Sequence, residues 1–296
     1  MKNTVLVIIV TYNAMKWAER CFSSLRKSTI PNDVFVVDNG STDGTQEYIK
    51  NNYSDFILVQ NESNEGFGRA NNIGLDYALK KKYSYIYLLN QDAWVSSDTF
   101  EILIDIQSRH KDFGIISPLQ CNISRRFDDN FYATSLSNES VFDQLFPEND
   151  NKNDVYETDF VMAAHWLISR ECLLKVGGFS PTFSHYGEDD NFIDRCKYHG
   201  LKVGYTFNTI SVHDREFRPY TLSKLLYMQY TRDLVALSNP NKLTPSLFSI
   251  LYTSIKNSVK NKTFQPIYYW LKIFKNKNVI KKNREKSRSL TAFVLG

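Results

Sequence analysis

Three polar residues that directly follow a strongly apolar segment have the clearest chemical meaning in this sequence. Residues 85–89 are aromatic and aliphatic, as is typical of a buried strand, and Asn90, Gln91 and Asp92 come next. Burying a carboxylate beside a core strand is costly unless a partner compensates for it. Open α/β sheets bind their ligands at the carboxyl ends of strands. The segment therefore predicts either a ligand site or a simple Asp-containing turn.

A second apolar run, residues 34–37, ends in the polar turn Asp38-Asn39-Gly40-Ser41. A carboxylate at a strand end can accept the imide N–H of a pyrimidine, and a glycine lets the backbone approach the ring. An ordinary turn that caps the next helix is the alternative. The chain has neither a G-x-G-x-x-G after its first strand nor a G-x-x-x-x-G-K-[ST], which argues against dinucleotide and P-loop sites.

A third polar stretch, residues 64–74, is rich in Asn and Gly where a helix should begin. Free N–H groups at a helix N-terminus bind phosphate, and Arg69 lies within this stretch. The pattern suits a diphosphate, or else a flexible loop with a cap.

Three consecutive acids, Glu188, Asp189 and Asp190, open a further predicted helix. Acids at that position complement the helix dipole, which is a sufficient structural reason for them. They also raise one another's pKa values, and one of them could take a proton from a hydroxyl. His213 ends a β-branched strand; it is either structural or, beside Asp92, a partner in holding a hard divalent ion.

The elements that must position these residues alternate between strands and helices. Strands are predicted at 5–10, 34–37, 56–59 and 85–89, with helices between them at 14–27, around 48–49 and at 69–80. Such alternation predicts right-handed βαβ units and a parallel sheet. Later elements are a helix at 99–109, a strand at 113–117, an irregular polar segment at 121–153, strands at 155–162, 165–168, 203–207 and 210–213, and helices before Gly177 and at 188–198.

The composition shifts beyond Tyr220 toward helices divided by Pro240, Pro245 and Pro266. We therefore expect one domain at 1–218 and a helical, basic extension at 219–296. Residues 256–288 carry eleven Lys and Arg residues against the single acid Glu285. This imbalance indicates an anionic partner surface or a solvated tail.

Composition bounds the remaining possibilities. A hydrophobic fraction of 42% is enough for a sizeable core, and a net charge of +4 gives no reason to expect nucleic acid as a partner. The four scattered cysteines form no C-x-x-C pair, which favours free thiols in a reducing compartment. No secretory signal or run of roughly 20 apolar residues is seen, so the expected location is cytoplasmic.

Taken together, these segments resemble the family 2 inverting glycosyltransferases of the GT-A fold. The resemblance covers residues 4–215. Its motifs, in family order, are Val10-Thr11-Tyr12-Asn13, residues 37–44, Asn64-x-Gly66-Phe67-Gly68 with Asn71-Asn72, Leu88 to Asp92, Gly177-Gly178-Phe179 and Glu188-Asp189. The Gly-Phe-Gly stretch and the Asn-x-Asp form are most similar to the bacterial rhamnosyltransferase-type branch, which builds surface polysaccharides.

The resemblance implies a mixed, mostly parallel α/β sheet flanked by helices, with a C-terminal helical extension. It also implies transfer of a sugar, with inversion, from a dTDP- or UDP-sugar to a hydroxyl of a growing surface polysaccharide or lipid-linked glycan. The implied nucleobase pocket is Thr11, Tyr12, Asn13 and Asp38, and the implied sugar-nucleotide contacts are Asn64, Gly66, Asn72 and Asn90.

The remaining roles concern metal, base and acceptor. The resemblance implies that Asp92 holds Mg²⁺ or Mn²⁺ on the diphosphate, with His213 as a further ligand. It makes Asp189 the general base, with Glu188 beside it, and Trp166 either a platform for the acceptor sugar or a core aromatic. Many members carry Asp-x-Asp where this chain has the neutral Asn90, so its metal dependence stays open.

Two other functions compete with glycosyl transfer. A nucleotidyltransferase acting on sugar phosphates would use a similar sheet and similar acids. It also needs a Gly-rich, Arg/Lys-containing loop after the first strand, and this sequence shows no such loop there. A module that binds sugar nucleotides without turnover is compatible with the neutral Asn90.

The extension has two interpretations as well. Aromatic residues among lysines at 268–274 could form an interfacial helix on an anionic membrane, which would place the protein peripherally on the inner face of the plasma membrane near a lipid-linked acceptor. The alternative is a packed helical subdomain with a solvated basic tail.

Overall fold

The apolar runs of the first half form parallel strands because helices cover both of their faces. The computed structural model describes residues 5–123, 153–214 and 221–294. The strands are β1 (Val5–Thr11), β2 (Asn32–Asp38), β3 (Ile57–Gln60), β4 (Tyr85–Asn90), β5 (Ala93–Trp94), β6 (Phe113–Cys121), β7 (Tyr156–Glu157), β8 (His165–Ser169) and β9 (Lys202–His213).

The helices lie on both faces of the sheet and in the extension. They are α1 (Met15–Arg26), α2 (Thr45–Asn52), α3 (Phe67–Lys81), α4 (Thr99–Arg109), α5 (Arg170–Val176), α6 (Glu188–Tyr198), α7 (Leu222–Ser238), α8 (Leu247–Asn261) and α9 (Gln265–Lys286). The predicted bounds of α4 and α6 agree with the structure to the residue.

One mixed sheet runs in the order β3-β2-β1-β4-β8-β6-β9-β5, with β7 paired to β9. Strands β1 to β4 pair in parallel, which confirms the predicted βαβ units. Strand β8 is antiparallel to both β4 and β6, and β9 is parallel to β6. The mixed α/β sheet implied by the resemblance is therefore present.

The second half differs from the prediction in two places. The strand expected over 155–162 is only the two-residue β7, because the chain then leaves the sheet and crosses the end of β4, where Ala164 O accepts a hydrogen bond from Asn90 N. The strands expected at 203–207 and 210–213 are one strand, β9. Its register to β6 shifts after Pro118, which has no N–H to donate to a ladder.

Two apolar clusters occupy the two faces of the sheet. One holds Ile8 and Trp166 under α3, α5 and α6, and the other holds Val7 and Phe22 under α1, α2 and α4. Helix α3 packs closely on β1 because Gly74 has no side chain: a Cβ there would lie 2.7 Å from Ile8 Cγ2.

The helices of the extension pack around a third cluster, which Phe183 of the first domain joins; Pro240 and Pro245 lie between α7 and α8, and Pro266 lies in the first turn of α9. The buried residues are Phe183, Tyr230, Leu234, Leu237, Ile250, Ile273 and Ile280. Among the described helices, none is long and apolar enough to cross a membrane. The expected boundary at Arg218, and residues 124–152 of the expected polar segment, lie outside the described residues.

Residues 291–294 return to the first domain. Gly178 N donates to Ala292 O at 2.7 Å, and Asn72 Nδ2 contacts Phe293 O at 3.4 Å. Gly177 has φ +81°, and a Cβ on it would lie 1.9 Å from Ala292 O. This late segment is therefore packed into the groove between α3 and α5.

Candidate functional site

The polar ends of three neighbouring strands meet at one edge of the sheet, as the sequence predicts. In the strand register Thr11 lies opposite Asp38, and Val10 lies opposite Asn90. Since β1, β2 and β4 are parallel, their carboxyl ends open on the same crevice.

Asp38 is fully buried at this edge and organises the turn that follows it. Its Oδ2 accepts from Thr11 Oγ1 at 2.7 Å and from Ser41 Oγ at 2.5 Å. Its Oδ1 accepts from Gly40 N, Ser41 N and Gln46 Nε2 at 3.2, 2.9 and 2.6 Å. A direct contact with a nucleobase requires one of these donors to move, so that role stays a prediction.

Asn13 fastens the loop after β1 to the same turn. Its N–H donates to Ser41 Oγ at 2.8 Å, and its Oδ1 accepts from Thr42 N at 2.9 Å. Its φ of 52° is left-handed, a conformation that Asn adopts more readily than most residues. The neighbouring Tyr12 side chain is exposed at the mouth of the crevice.

Gln91, to which sequence reasoning gave no role, joins β4 to that loop. Its Oε1 accepts from Tyr12 N at 2.7 Å, and its Nε2 donates to Tyr12 O at 3.2 Å. The amide thereby satisfies both backbone groups of one residue. No pattern in a single sequence indicates such a match.

Asn64 and Gly66 lie at the start of α3 and face the loop that precedes the acids. Asn64 Oδ1 accepts from Gly66 N at 2.9 Å and lies 3.4 Å from Asn39 Nδ2. Gly66 has φ +86°, and a Cβ there would lie 2.6 Å from Ser184 O. These residues therefore join the Asp38 turn to the 183–187 loop.

Asn72 is a correction to the expected set, because its amide binds the backbone rather than facing the crevice. It is buried, its Nδ2 donates to Phe179 O at 2.9 Å, and its Oδ1 accepts from Phe179 N at 2.6 Å. It fastens α3 to the Gly177-Gly178-Phe179 segment.

For Trp166 the structure supports the core-aromatic alternative. It is fully buried, stacks with Phe179, and donates from Nε1 to Val161 O at 3.1 Å. Side chains alternate along a strand. Trp166 therefore faces the cluster under α3, α5 and α6, and its neighbour His165 faces the opposite side of the sheet. No acceptor sugar can reach it.

Replacing Trp166 by Ala should therefore affect stability rather than acceptor recognition. Removal of a buried Trp costs about 3–5 kcal/mol. Urea unfolding should show this loss, and the acceptor KM should stay unchanged at a temperature where the variant is folded. An unchanged unfolding midpoint with a raised acceptor KM would return Trp166 to the acceptor site.

Asp92, His213 and Asn90 form a cluster beside the crevice. Pairing of β5 with β9 sets Ala93 opposite His213, and Asp214 N donates to Asp92 O at 2.8 Å. As a result, His213 Nε2 lies 3.3 Å from Asp92 Oδ1 and 3.4 Å from Asn90 Nδ2. The structure thus brings together the residues expected to surround a metal ion.

Within the part of the chain that the structure describes, one buried acceptor of this cluster, Asn90 Oδ1, has no hydrogen-bond partner. A carboxylate oxygen, an amide oxygen and an imidazole nitrogen suit a divalent ion of the Mg²⁺ or Mn²⁺ type. In the described residues no group of three or more His, Cys, Asp or Glu side chains could hold a metal ion. An ion held by these side chains would need further ligands beyond them, such as diphosphate oxygens.

His165 holds the end of β9 next to β4. Its Nε2 lies 3.1 Å from Val212 O and must donate to it, so its Nδ1 accepts from Tyr87 OH at 2.9 Å. Burial, reinforced by nearby His213, lowers the pKa of His165 to about 3, so it is neutral. Sequence reasoning missed this residue, whose ring centroid lies 6.5 Å from that of His213.

The three acids open α6 on the other side of the crevice. Ala163 N donates to Asp189 Oδ2 at 3.3 Å, and the next residue, Ala164, accepts from Asn90 N at 3.1 Å. Two hydrogen bonds, made by the consecutive residues Ala163 and Ala164, thus connect Asp189 to Asn90. Glu188 is buried, and this burial, together with the charge of Asp189, raises its pKa to about 8.

Glu188 should make the stability of the protein fall as the pH rises. Its folded pKa of about 8 exceeds its ordinary value of 4.5, so the stabilisation is complete below 4.5 and is lost as the pH rises through 8. Glu188→Gln cannot ionise, so at pH 9 its free energy of unfolding should exceed that of wild type by on the order of a few kcal/mol. Urea titrations between pH 5 and 9 would measure this.

The matched control is Glu171→Gln, which changes an exposed acid in the first turn of α5. It should keep the wild-type pH dependence. A flat wild-type profile, or equal profiles for both variants, would contradict the raised pKa of Glu188.

The 183–187 loop, which precedes the acids, is supported by the extension. Tyr227 OH of α7 donates to His185 O at 3.1 Å. Gly187 has φ +88°, and a Cβ on it would lie 3.0 Å from Val235 Cγ2. Helix α7 therefore sets the position of the loop that leads to Asp189.

Comparison with known proteins agrees with this geometry. The family model described as Glycosyl transferase family 2 matches residues 6–177. An N-acetylglucosaminyl-diphospho-decaprenol L-rhamnosyltransferase of Mycobacterium tuberculosis is 27% identical over 223 residues, covering 66% of this chain and 71% of its own. The O-antigen chain rhamnosyltransferase WbaN of Salmonella anatum is 24% identical over 217 residues, covering 72% and 67%.

Solved structures show the same fold. Residues 1–349 of TarS from S. aureus, in complex with UDP-GlcNAc, superpose with a TM-score of 0.59 at 14% identity, covering 96% of this chain and 90% of that one. The mannosyltransferase PcManGT of Pyrobaculum calidifontis, in complex with GDP-Man and Mn²⁺, gives 0.56 at 18% identity, covering 97% and 74%. The GT-A fold expected from the sequence is thereby confirmed.

Proposed function

This chain belongs to glycosyl transferase family 2, and we propose that it transfers a sugar, with inversion, from a nucleotide-diphosphate donor to a hydroxyl of a glycan or lipid-linked acceptor. The observation that carries this proposal is the convergence of three groups on one crevice. These groups are the Asp38 turn, the Asn90–Asp92–His213 cluster and Asp189.

We assign the donor to the carboxyl ends of β1, β2 and β4. The nucleoside lies against Tyr12 and the turn that Asp38 and Asn13 hold, and the diphosphate lies toward Asp92. Asp92, His213 and Asn90 Oδ1 would hold Mg²⁺ or Mn²⁺. Such an ion supplies the positive charge that offsets the negative charge growing on the leaving diphosphate.

Asp189 acts on the acceptor side as general base. A sugar hydroxyl is a poor nucleophile until its proton is taken, and a positioned base contributes roughly 10²–10⁴-fold. Its Oδ2 is oriented by Ala163 N. Attack on the face opposite the leaving diphosphate inverts the anomeric centre.

The names of two relatives indicate which donors and acceptors to propose. Two of them are named as rhamnosyltransferases, one acting on a lipid-linked diphospho-decaprenol glycan and one on O-antigen chains. We therefore propose a dTDP- or UDP-linked deoxyhexose or hexose as donor, and a surface polysaccharide or its lipid-linked precursor as acceptor. The enzyme would then work in the cytoplasm, peripherally on the inner face of the plasma membrane.

A donor panel tests the proposal. UDP-, GDP- and dTDP-sugars should be hydrolysed slowly without acceptor, at least one of them well above the others, and added Mn²⁺ should speed this over EDTA. Binding of donors without any turnover would favour an inactive binding module. Release of pyrophosphate from a sugar 1-phosphate and a nucleoside triphosphate would favour a nucleotidyltransferase.

We also propose that residues 219–296 stabilise the position of the 183–187 loop and α6 in the domain at 1–218. Support comes from Tyr227 OH, which binds the 183–187 loop, and from Asn191 Nδ2 of α6, 3.5 Å from Ser238 O.

A further inference from the structure

Helix α8 carries large apolar side chains on the side that faces away from the protein. Four residues, spaced by four, three and four positions, share that side. Their exposed fractions are high: Phe248 82%, Tyr252 73%, Ile255 46% and Val259 75%. We call these four residues the α8 stripe.

The opposite side of α8 is the one that packs on the protein. Ile250 and Ser254 are buried there. At 100° per residue the stripe lies almost directly opposite them. A surface helix of a globular protein normally buries its apolar side and exposes its polar one. In α8 the bulkiest apolar side chains are the exposed ones, so packing among the described residues does not account for them.

Two further exposed apolar side chains lie near the ends of α8 in the sequence. Leu243 lies before the helix and Phe264 after it, and their exposed fractions are 97% and 63%. The stripe itself spans about 17 Å along the helix axis, at 1.5 Å per residue. Contiguous exposed apolar surfaces of this kind mark sites of interaction.

The charge around the stripe indicates the partner. Residues 234–284 contain no Asp or Glu and ten cations: Lys242, Lys256, Lys260, Lys262, Lys272, Lys275, Lys277, Lys281, Lys282 and Arg284. Lys256 and Lys260 lie on α8 itself, and both are exposed. A second copy of this surface would bring like charges together, whereas an anionic surface would be attracted.

Helix α9, the segment expected from the sequence to face a membrane, also exposes apolar side chains, but mostly to smaller fractions: Tyr268 55%, Leu271 36%, Phe274 42% and Val279 56%. Ile273 is buried in the cluster of the extension, against which Tyr269 and Trp270 pack. Trp270 Nε1 donates to Leu247 O at 2.9 Å, which holds α9 against the start of α8. The contact surface is therefore centred on α8.

We propose that the α8 stripe inserts into the surface of an anionic lipid bilayer, with Lys256 and Lys260 at the level of the headgroups. Apolar residues beneath a basic polar side are what an interfacial helix needs. Helix α7 connects this surface to the 183–187 loop through Tyr227. The use of this attachment to reach a lipid-linked acceptor rests on the proposed function, but the binding itself does not.

Vesicle flotation of the full chain tests the proposal. Phosphatidylcholine vesicles with about 30% phosphatidylglycerol should bind the protein at low salt, and pure phosphatidylcholine vesicles should bind it far less. The double variant Phe248→Ser/Val259→Ser and the double variant Lys256→Glu/Lys260→Glu should each weaken binding about tenfold or more. All four positions are exposed, so the thermal unfolding midpoint should not change.

Two control variants are matched in chemistry. Leu174→Ser removes an exposed apolar side chain from α5, and Lys50→Glu/Lys111→Glu reverses two exposed charges of the first domain. Both should bind vesicles like wild type. If they weaken binding as much as the stripe variants do, the attraction is diffuse and the assignment to α8 is wrong.

Two further outcomes would overturn the proposal. One is a wild-type protein that stays with the aqueous fraction. The other is a dimer, seen by sedimentation velocity, that dissociates in Phe248→Ser/Val259→Ser, since a second copy then covers the stripe. Donor hydrolysis by the same variants should equal wild type. An enzyme that binds vesicles but hydrolyses no donor contradicts only the proposed function.

Discussion

Replacing Asp189 by Asn should leave donor binding intact and lower the rate of sugar transfer by about 10²–10⁴-fold. The amide cannot take a proton from the acceptor hydroxyl, but its oxygen can still accept from Ala163 N, as the carboxylate does at 3.3 Å. The variant should therefore fold like wild type. Isothermal titration with UDP and dTDP, together with single-turnover transfer, separates binding from chemistry.

The neighbouring acids provide controls for this experiment. Glu188→Gln and Asp190→Asn remove carboxyl groups whose pKa values burial raises to about 8 and about 7. The hydrogen bond from Ala163 N orients Asp189 and not these two neighbours, so both variants should keep transfer within about tenfold of wild type. If Asp189→Asn transfers sugar at nearly the wild-type rate and one of the control variants shows a large loss, the residue changed in that control is the general base.

The second large effect is expected at Asp92. Asp92→Asn removes the one carboxylate of the Asn90–Asp92–His213 cluster, in which Asp92 Oδ1 lies 3.3 Å from His213 Nε2. Charge neutralisation by a metal ion is worth several kcal/mol in a reaction of this type, so activity should fall about 10²–10³-fold. Mn²⁺ binding in the presence of UDP, followed by electron paramagnetic resonance, should weaken in parallel.

Two variants test the metal assignment from either side. Asn90→Asp replaces the amide, whose Oδ1 has no partner among the described residues, by a carboxylate. The variant should bind Mn²⁺ more tightly, because affinity for hard cations rises with ligand charge. Asp214→Asn alters an acid whose Oδ2 is 3.1 Å from Trp17 Nε1 and should change Mn²⁺ affinity little. The assignment is wrong if Asp214→Asn abolishes Mn²⁺ binding and Asp92→Asn does not.

The first half of the fold was predictable because strands buried on both faces appear as unbroken apolar runs. Residues 5–90 show this pattern, and their strands and helices were predicted with bounds that differ by a few residues. The second half depends on pairings between distant segments. Neither the two-residue β7 nor the register shift after Pro118 leaves a local signal, and the 155–162 strand was accordingly wrong.

The candidate site was predictable where strand ends carry it. Asp38, Asn90 and Asp92 follow apolar runs directly, and parallel pairing then brings them together. A motif does not tell which side of an element faces the crevice, so Asn72 was expected there and Trp166 stayed open between the acceptor site and the core. Gln91 and His165 act through bonds to backbone atoms and a tyrosine, which residue type alone does not reveal.

The return of residues 291–294 to the first domain has a consequence for how the chain folds during synthesis. Asn72 and Phe293 are 221 positions apart, and Gly178 N donates to Ala292 O. The groove between α3 and α5 therefore stays open until almost the entire described chain has left the ribosome. Contacts of such long sequence separation slow folding, so the nascent domain exposes this groove to chaperones throughout translation.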